Sequence, residues 1–207
     1  MNRDDFAAAF DVSRETLDKL QTYAEMLADW QTRMNLVGPA TLPHVWERHF
    51  ADSAQLLSLA KPGASWLDLG AGAGFPGLVI AIMDGEARLT LVESIAKKCR
   101  FLQAVADELG LSDRVSIANC RIEALERKPP KQRPQYITAR ALASLAQLFD
   151  WGLPHAGPHS IWLLPKGARH TEEIDEARRA FVFQHETIPS RTSSDARIIK
   201  AWGVART

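Results

Sequence analysis

Trp66-Leu67-Asp68-Leu69-Gly70-Ala71-Gly72-Ala73-Gly74-Phe75-Pro76-Gly77 is the stretch whose reading decides the fold. A short apolar strand ends in alternating glycines and feeds a helical run, Gly77 to Met83, with Pro76 suited to the first turn. Glycines at such a bend let the backbone turn sharply and let a ligand lie directly against it, because no Cβ intervenes. The next strand-like run, Leu89 to Glu93, closes on an acid. In open α/β sheets a carboxylate there accepts hydrogen bonds from ribose hydroxyls. Strand, glycine loop, helix, strand and terminal acid in that order imply a nucleotide-type ligand.

The spacing narrows the choice of ligand. A dinucleotide loop runs G-x-G-x-x-G, so that the following helix N-terminus receives a pyrophosphate. Here the pattern is D-x-G-x-G-x-G, with Asp68 two residues before Gly70. That carboxylate would repel a phosphate and would suit the ammonium or sulfonium end of S-adenosylmethionine. The expected cofactor set is therefore Asp68, Gly70, Gly72, Gly74 and Glu93, and either Asp68→Ala or Gly72→Val is expected to abolish cofactor binding without unfolding the chain. A Rossmann-like NAD-binding oxidoreductase or redox sensor and a small-molecule methyltransferase stay open as alternatives.

Working outward, the runs Val115 to Asn119, Tyr136 to Ala139 and Ile161 to Leu164 read as further strands, with helices over Ile95 to Leu109 and Ala141 to Phe149. Alternation of this kind predicts a mainly parallel sheet covered on both faces. After a helical Glu172 to Arg179, the runs Phe181 to Ile188 and Ile198 to Val204 are joined by a turn-rich segment too short for a helix, so they are expected to pair antiparallel. Before Gly63 the chain carries only helical patterns. One has Ser13 as its candidate N-cap and apolar positions from Leu17 to Met34, and a second runs from Pro43 to Leu57. The predicted architecture is a Rossmann-like class I methyltransferase fold, α/β with a seven-stranded sheet whose last strand is antiparallel, over residues 63–207. A helical extension over residues 1–62 precedes it as part of one compact unit.

Composition bounds the rest. With 46% hydrophobic residues the chain can bury a sizeable core, and its longest apolar runs fall far below the roughly 20 residues of a membrane span. The acidic N-terminal residues lack the apolar core of a secretory signal, and the two cysteines suit a reducing compartment, so a cytoplasmic protein is expected. No metal site is expected either, since His155 and His159 are split by Gly157-Pro158 without a completing carboxylate. The formal charge of +0 hides a division. Residues 1–60 hold 5 Lys and Arg against 9 Asp and Glu, while the rest hold 20 against 16, clustered at Lys97-Lys98-Arg100 and Arg127-Lys128-Lys131-Arg133. Local patches of this kind suit recognition of a folded RNA surface better than indiscriminate polyanion binding.

Different methyl acceptors need different help. Base amino groups are commonly handled by Asn or Asp before Pro-Pro and an aromatic, which Pro129-Pro130 with flanking lysines does not supply. Carbon-5 of a pyrimidine needs a Cys nucleophile, and the fourth strand ends Thr138-Ala139-Arg140 instead. An acceptor with a free lone pair, such as guanine N7, needs positioning and no general base. Arg140 and Lys166 follow strands at the carboxyl edge of the sheet and are the positioning candidates. Arg48 and Asp52 stand one helical turn apart, which makes an ion pair natural, while Arg48 and His49 are also candidates for the RNA or cofactor mouth.

Taken together these motifs resemble the bacterial small-subunit ribosomal RNA guanine-N7 methyltransferases, the glucose-inhibited division protein B family. The likeness rests on Asn35-Leu36-Val37, Arg48-His49-Phe50-Ala51-Asp52-Ser53, Asp68 through Gly77, Glu93-Ser94 with Lys97-Lys98 and Phe101-Leu102, Arg121-Ile122-Glu123, Arg140-Ala141 and Lys166-Gly167. It implies S-adenosylmethionine held at Gly70, Phe75 and Arg140, with Ile122 and Glu123 near the adenine. It also implies a guanine target in the 530 loop of 16S ribosomal RNA. A monomer acting on a ribosomal particle is expected, with Arg48, His49, Lys97, Lys98, Arg100 and Lys166 as the candidates for RNA contact by position and charge.

Overall fold

Strand β1 (Ser65–Leu69) sends Trp66 and Asp68 to one face of a sheet and Leu67 and Leu69 to the other, and both faces are buried. Burial on two sides is why the strand reads as an almost unbroken apolar run, with Asp68 as the exception. The computed structural model describes residues 1–207. Its other strands are β2 (Arg88–Glu93), β3 (Val115–Asn119), β4 (Tyr136–Thr138), β5 (Ile161–Lys166), β6 (Phe181–Pro189) and β7 (Arg197–Arg206). They form one sheet in the order β3-β2-β1-β4-β5-β7-β6. The first five strands pair in parallel and β7 runs antiparallel to both its neighbours, as expected. The order reverses between β1 and β4, so the ligand crevice belongs outside their carboxyl ends. The glycine loop and Arg140 both leave from there.

Helices α4 (Gly77–Met83) and α5 (Ala96–Glu108) cover the Trp66 face, and α6 (Leu145–Gly152) and α7 (His170–Ala177) the Leu67 face. The first 62 residues join the Trp66 face. Helix α1 (Arg3–Phe10) and helix α2 (Arg14–Gln31) place Phe6, Leu20, Tyr23 and Leu27 in the same core as Leu78, Leu91 and Phe101. Ser13 caps α2 by accepting from the Thr16 amide at 3.1 Å. Helix α1 is foreshadowed only by Asn2 and Asp5, which form a reciprocal capping box. No helix is long and apolar enough to cross a membrane.

Two helical segments depart from the expected course. The run read as one helix from Pro43 is a composite of 3-10 turns (Pro39–His44), a wide π turn (Trp46–Ala51), one α turn, α3 (Asp52–Ala54), and a second 3-10 segment (Gln55–Leu59). The wide turn buries three consecutive residues, His49, Phe50 and Ala51, which a regular helical face does not do. The helix expected from Ala141 starts at Leu145 instead. Ala141 adopts the left-handed conformation, φ 53°, and Ser144 caps the helix that follows.

Candidate functional site

The glycines of the loop divide by what surrounds them. A Cβ at Gly74 would stand 2.5 Å from a Leu78 methyl and 2.7 Å from the Tyr23 hydroxyl, and one at Gly77 2.7 Å from Asp68 Oδ2. Those two are small for internal packing. Gly70, φ 68°, turns the chain beneath the half-exposed Leu142. Only Gly72, φ 58°, has open space where a side chain would be, its nearest neighbour being the Gly70 carbonyl at 3.8 Å. Gly72→Val would put a branched side chain into that space on a left-handed backbone. We expect it to fold and to show no heat of S-adenosylhomocysteine binding in calorimetry.

Tyr23 reaches the loop from α2 and donates its hydroxyl proton to the Ala73 carbonyl. Its ring stacks on Phe75 with centroids 5.4 Å apart. Burial pushes the phenol well above its ordinary pKa, so it remains a donor. Tyr23 is in phase with Leu20 and Leu27, three residues after one and four before the other, which places it on the buried face but gives no signal of its contact with the loop. Tyr23→Phe leaves a buried carbonyl without its donor, which costs about 1–3 kcal/mol in such settings. Denaturant unfolding should show that loss, and calorimetry a weaker S-adenosylhomocysteine affinity.

Asp68 lies behind the loop, fully buried. Its Oδ2 accepts from the Gly77 amide at 3.0 Å, fixing the start of α4, while Oδ1 has no partner. Burial raises its pKa to about 7, and the Gly77 hydrogen bond and the nearby Arg140 cation offset only part of this. Only one other buried side-chain polar atom, Trp66 Nε1, is similarly unsatisfied. An orphaned carboxylate oxygen beside a loop with open space at Gly72 fits the cationic methionine end of S-adenosylmethionine. Glu93 ties the two loops together, Oε2 accepting from the Gly72 amide at 3.0 Å and Oε1 from Ile95 at 2.8 Å. Each oxygen retains a lone pair for a ribose hydroxyl. Ile122 is buried at the end of β3 and Glu123 is exposed beside it, without a partner.

Arg140 is the hub on the other side of the crevice. Its guanidinium donates to the Arg48 carbonyl at 3.0 Å, to Asp52 Oδ2 at 3.3 Å and to His49 Nδ1 at 2.7 Å, and it lies 5.0 Å over the Phe75 ring. Because Nδ1 accepts, the His49 proton sits on Nε2 and points at Thr41 Oγ1, 2.9 Å away. Burial, with help from Arg140 and Arg48, lowers the His49 pKa to about 3. The expected Arg48–Asp52 pair is therefore not formed. Asp52 serves Arg140, Gln55 and Thr192 instead, and Arg48 is exposed and free of ion pairs. His49, at 6% exposure and stacked on Phe75, supports Arg140 and presents little surface at the mouth of the crevice.

Lys166 also departs from expectation. Its ammonium is buried, donating to the Ala143 carbonyl at 2.6 Å and pairing with Glu173 at 2.7 Å, whose carboxylate also accepts from the Leu145 amide. Desolvation of a lysine requires such partners, and here they pin the loop that follows Arg140. Lys97 and Arg100 are exposed and Lys98 half-buried at the start of α5, near Glu93, as a surface contact would require. No group of three or more His, Cys, Asp or Glu side chains stands together to hold a metal ion.

A family model described as rRNA small subunit methyltransferase G matches residues 16–199. The chain belongs to that family. It is 46% identical over 203 residues to the ribosomal RNA small subunit methyltransferase G of Methylobacterium nodulans, covering 96% of this chain and 94% of the relative. The protein of the same name from Cereibacter sphaeroides is 43% identical, with 99% of each chain covered. In fold, a SAM dependent methyltransferase from Aquifex aeolicus superposes with a TM-score of 0.60 at 13% identity, over 77% of this chain and 93% of that one. Membership in methyltransferase G makes the chain an S-adenosylmethionine-dependent methyltransferase acting on ribosomal RNA. The NAD-binding and small-molecule alternatives fall away.

Proposed function

We propose that this methyltransferase transfers a methyl group to N7 of a guanine in the 530 loop of 16S ribosomal RNA, acting as a monomer on a ribosomal particle in the cytoplasm. One observation carries the choice of acceptor: His49, Asp52 and Glu93 beside the crevice are already engaged, and the free oxygen of buried Asp68 faces the cationic end of the cofactor in this reading. His49 Nδ1 is taken by Arg140 and its pKa is about 3. Asp52 is shared among three partners, and Glu93 holds two amides. Such a site supplies cation and orientation without a base, which matches an acceptor whose lone pair is already free.

Asp68, Gly70, Gly72, Phe75, Glu93, Ile122, Glu123 and Arg140 would hold the cofactor, which when bound supplies an electrophilic methyl group. Three of the five N–H donors of Arg140 are used within the protein, leaving two for a carboxylate, a guanine acceptor edge or a phosphate. Primer extension across the 530 loop, after borohydride and aniline cleavage at N7-methylguanine, tests the proposal. A deletion strain should lose one stop that the wild-type gene restores, and a persisting stop would refute it.

A further inference from the structure

Between Asn119 and Tyr136, where the alternation of strands and helices would place a crossover helix, the chain makes only the one-turn segments Ile122–Ala124 and Pro130–Gln132. Pro129, Pro130 and Pro134 prevent anything longer. Leu67, Thr90 and Ser116 are register partners on one face of the sheet, and at its amino-terminal end this face is roofed by the Pro-rich segment rather than by a helix. A groove of about 330 Å³ remains beneath it. The groove lies at the opposite end of the strands from the glycine loop, and its volume suits a nucleotide-sized group.

The groove is lined by Arg88, Arg114 and Lys128, with the hydroxyls of Thr90, Ser112 and Ser116. Asp113 and Glu126 also border it, leaving cations in the majority. Arg114 is tied to the Asp84 and Ala87 carbonyls, and Lys128 reaches Thr90 Oγ1 at 3.4 Å. The exposed Arg88 side chain has no partner. More broadly, no Lys or Arg between Arg88 and Arg133 enters a salt bridge, and every ion pair of the protein lies elsewhere. Residues 88–133 hold 10 Lys and Arg against 6 Asp and Glu, so in a chain with equal numbers of acids and bases this flank is net positive.

Basic side chains stand at both ends of the edge strand β3, Lys97, Arg100 and Arg121 toward the cofactor loops and Arg88, Arg114 and Lys128 at the groove, with no charged residue on the strand itself. A five-residue strand covers roughly 17 Å, a distance spanned by about five stacked nucleotides at 3.4 Å each. We propose that this groove is a second RNA contact, in which Arg88 and Lys128 hold backbone phosphates of the same RNA whose target base enters at the glycine loop. The inference rests on the ribosomal RNA reading above. Ribose and phosphate oxygens match the hydroxyl and cation lining, and a backbone contact fixes register without reading sequence.

The full-length R88A/K128A variant tests it, with methyl transfer to small ribosomal subunits that lack the modification measured across a salt series. The Michaelis constant for RNA should rise about tenfold, and the slope of log(kcat/KM) against log[salt] should flatten by about 1 to 2. Affinity for S-adenosylhomocysteine should be unchanged, and Glu126→Gln should shift the Michaelis constant the other way. An unchanged Michaelis constant and slope in an active, folded variant would overturn the second contact while leaving the ribosomal RNA reading intact. Loss of S-adenosylhomocysteine affinity would show the groove to be structural and likewise overturn it. Wild-type protein that methylates no ribosomal RNA would remove both readings together.

Discussion

Asp68→Asn is expected to make the ligand-free protein more stable at pH 8 while lowering its affinity for S-adenosylmethionine by at least about a hundredfold, roughly 2.7 kcal/mol. Both effects come from one atom, the buried Oδ1 without a partner. In the folded protein the Asp68 pKa stands at about 7, above the ordinary carboxylate value of 3.8, so the native state binds more protons than the unfolded state between those values. A raised carboxylate favours folding at low pH and loses that contribution as the pH climbs through about 7. The variant has no such charge to bury, so its stability advantage should grow from about pH 4 and level off above about pH 7. Asparagine can still accept the Gly77 amide proton. What it lacks is the negative charge for a cationic ligand, and truncating one side of a buried charge pair typically costs about 2–5 kcal/mol. Wild-type affinity should rise from pH 6 to pH 8 with release of a proton on binding, and the variant should show neither. Calorimetry in two buffers of different ionisation enthalpy, with thermal unfolding at pH 5 and pH 8, reads all four quantities. A variant that binds like wild type would show that Asp68 is only the brace of α4.

The loop proposed to hold the cofactor was legible because its geometry is local. Asp68, Gly72 and Glu93 follow one another within a strand, a loop and the next strand, and the backbone they specify is fixed by glycine conformations that sequence alone reveals. Gly74, expected to give clearance for the ligand, is small to clear Tyr23 and Leu78, and Gly77 at the start of α4 clears Leu91 and Asp68. That distinction depends on contacts between residues far apart in the chain. Arg48, His49 and Asp52 show the same limit. A helical wheel puts Arg48 beside Asp52, but the π turn and the fold bring Arg140 there from across the crevice. Lys166 was placed at the correct edge of the sheet, yet its partner Glu173 comes from α7, and nothing local says that the lysine is buried. Strand direction, by contrast, follows from alternation and loop length.

Arg140→Ala should lower kcat/KM by about two orders of magnitude, close to 2.7 kcal/mol of transition-state stabilisation, in a protein that still folds. The guanidinium spans the Arg48 carbonyl, Asp52, His49 and the face of Phe75, so it joins the N-terminal helices to the cofactor loop at one point. Side chains at this junction are only about a fifth exposed, 18% for Arg140 and 19% for Asp52. Arg140→Lys should not restore activity, because a single ammonium cannot hold three acceptors and a ring face with the same planar geometry. A second readout separates positioning from bulk stability. His49 is neutral in the native protein and becomes charged on unfolding below about pH 6.5, so its contribution to stability is present above that pH and is lost as the pH falls toward 3. Removing Arg140 deletes the second-largest cause of the depression, after burial, and should move the His49 titration upward in an NMR pH series. A rise in the His49 pKa together with unchanged kcat/KM would assign Arg140 to the scaffold, and loss of activity that lysine fails to rescue assigns it to orienting the reacting groups.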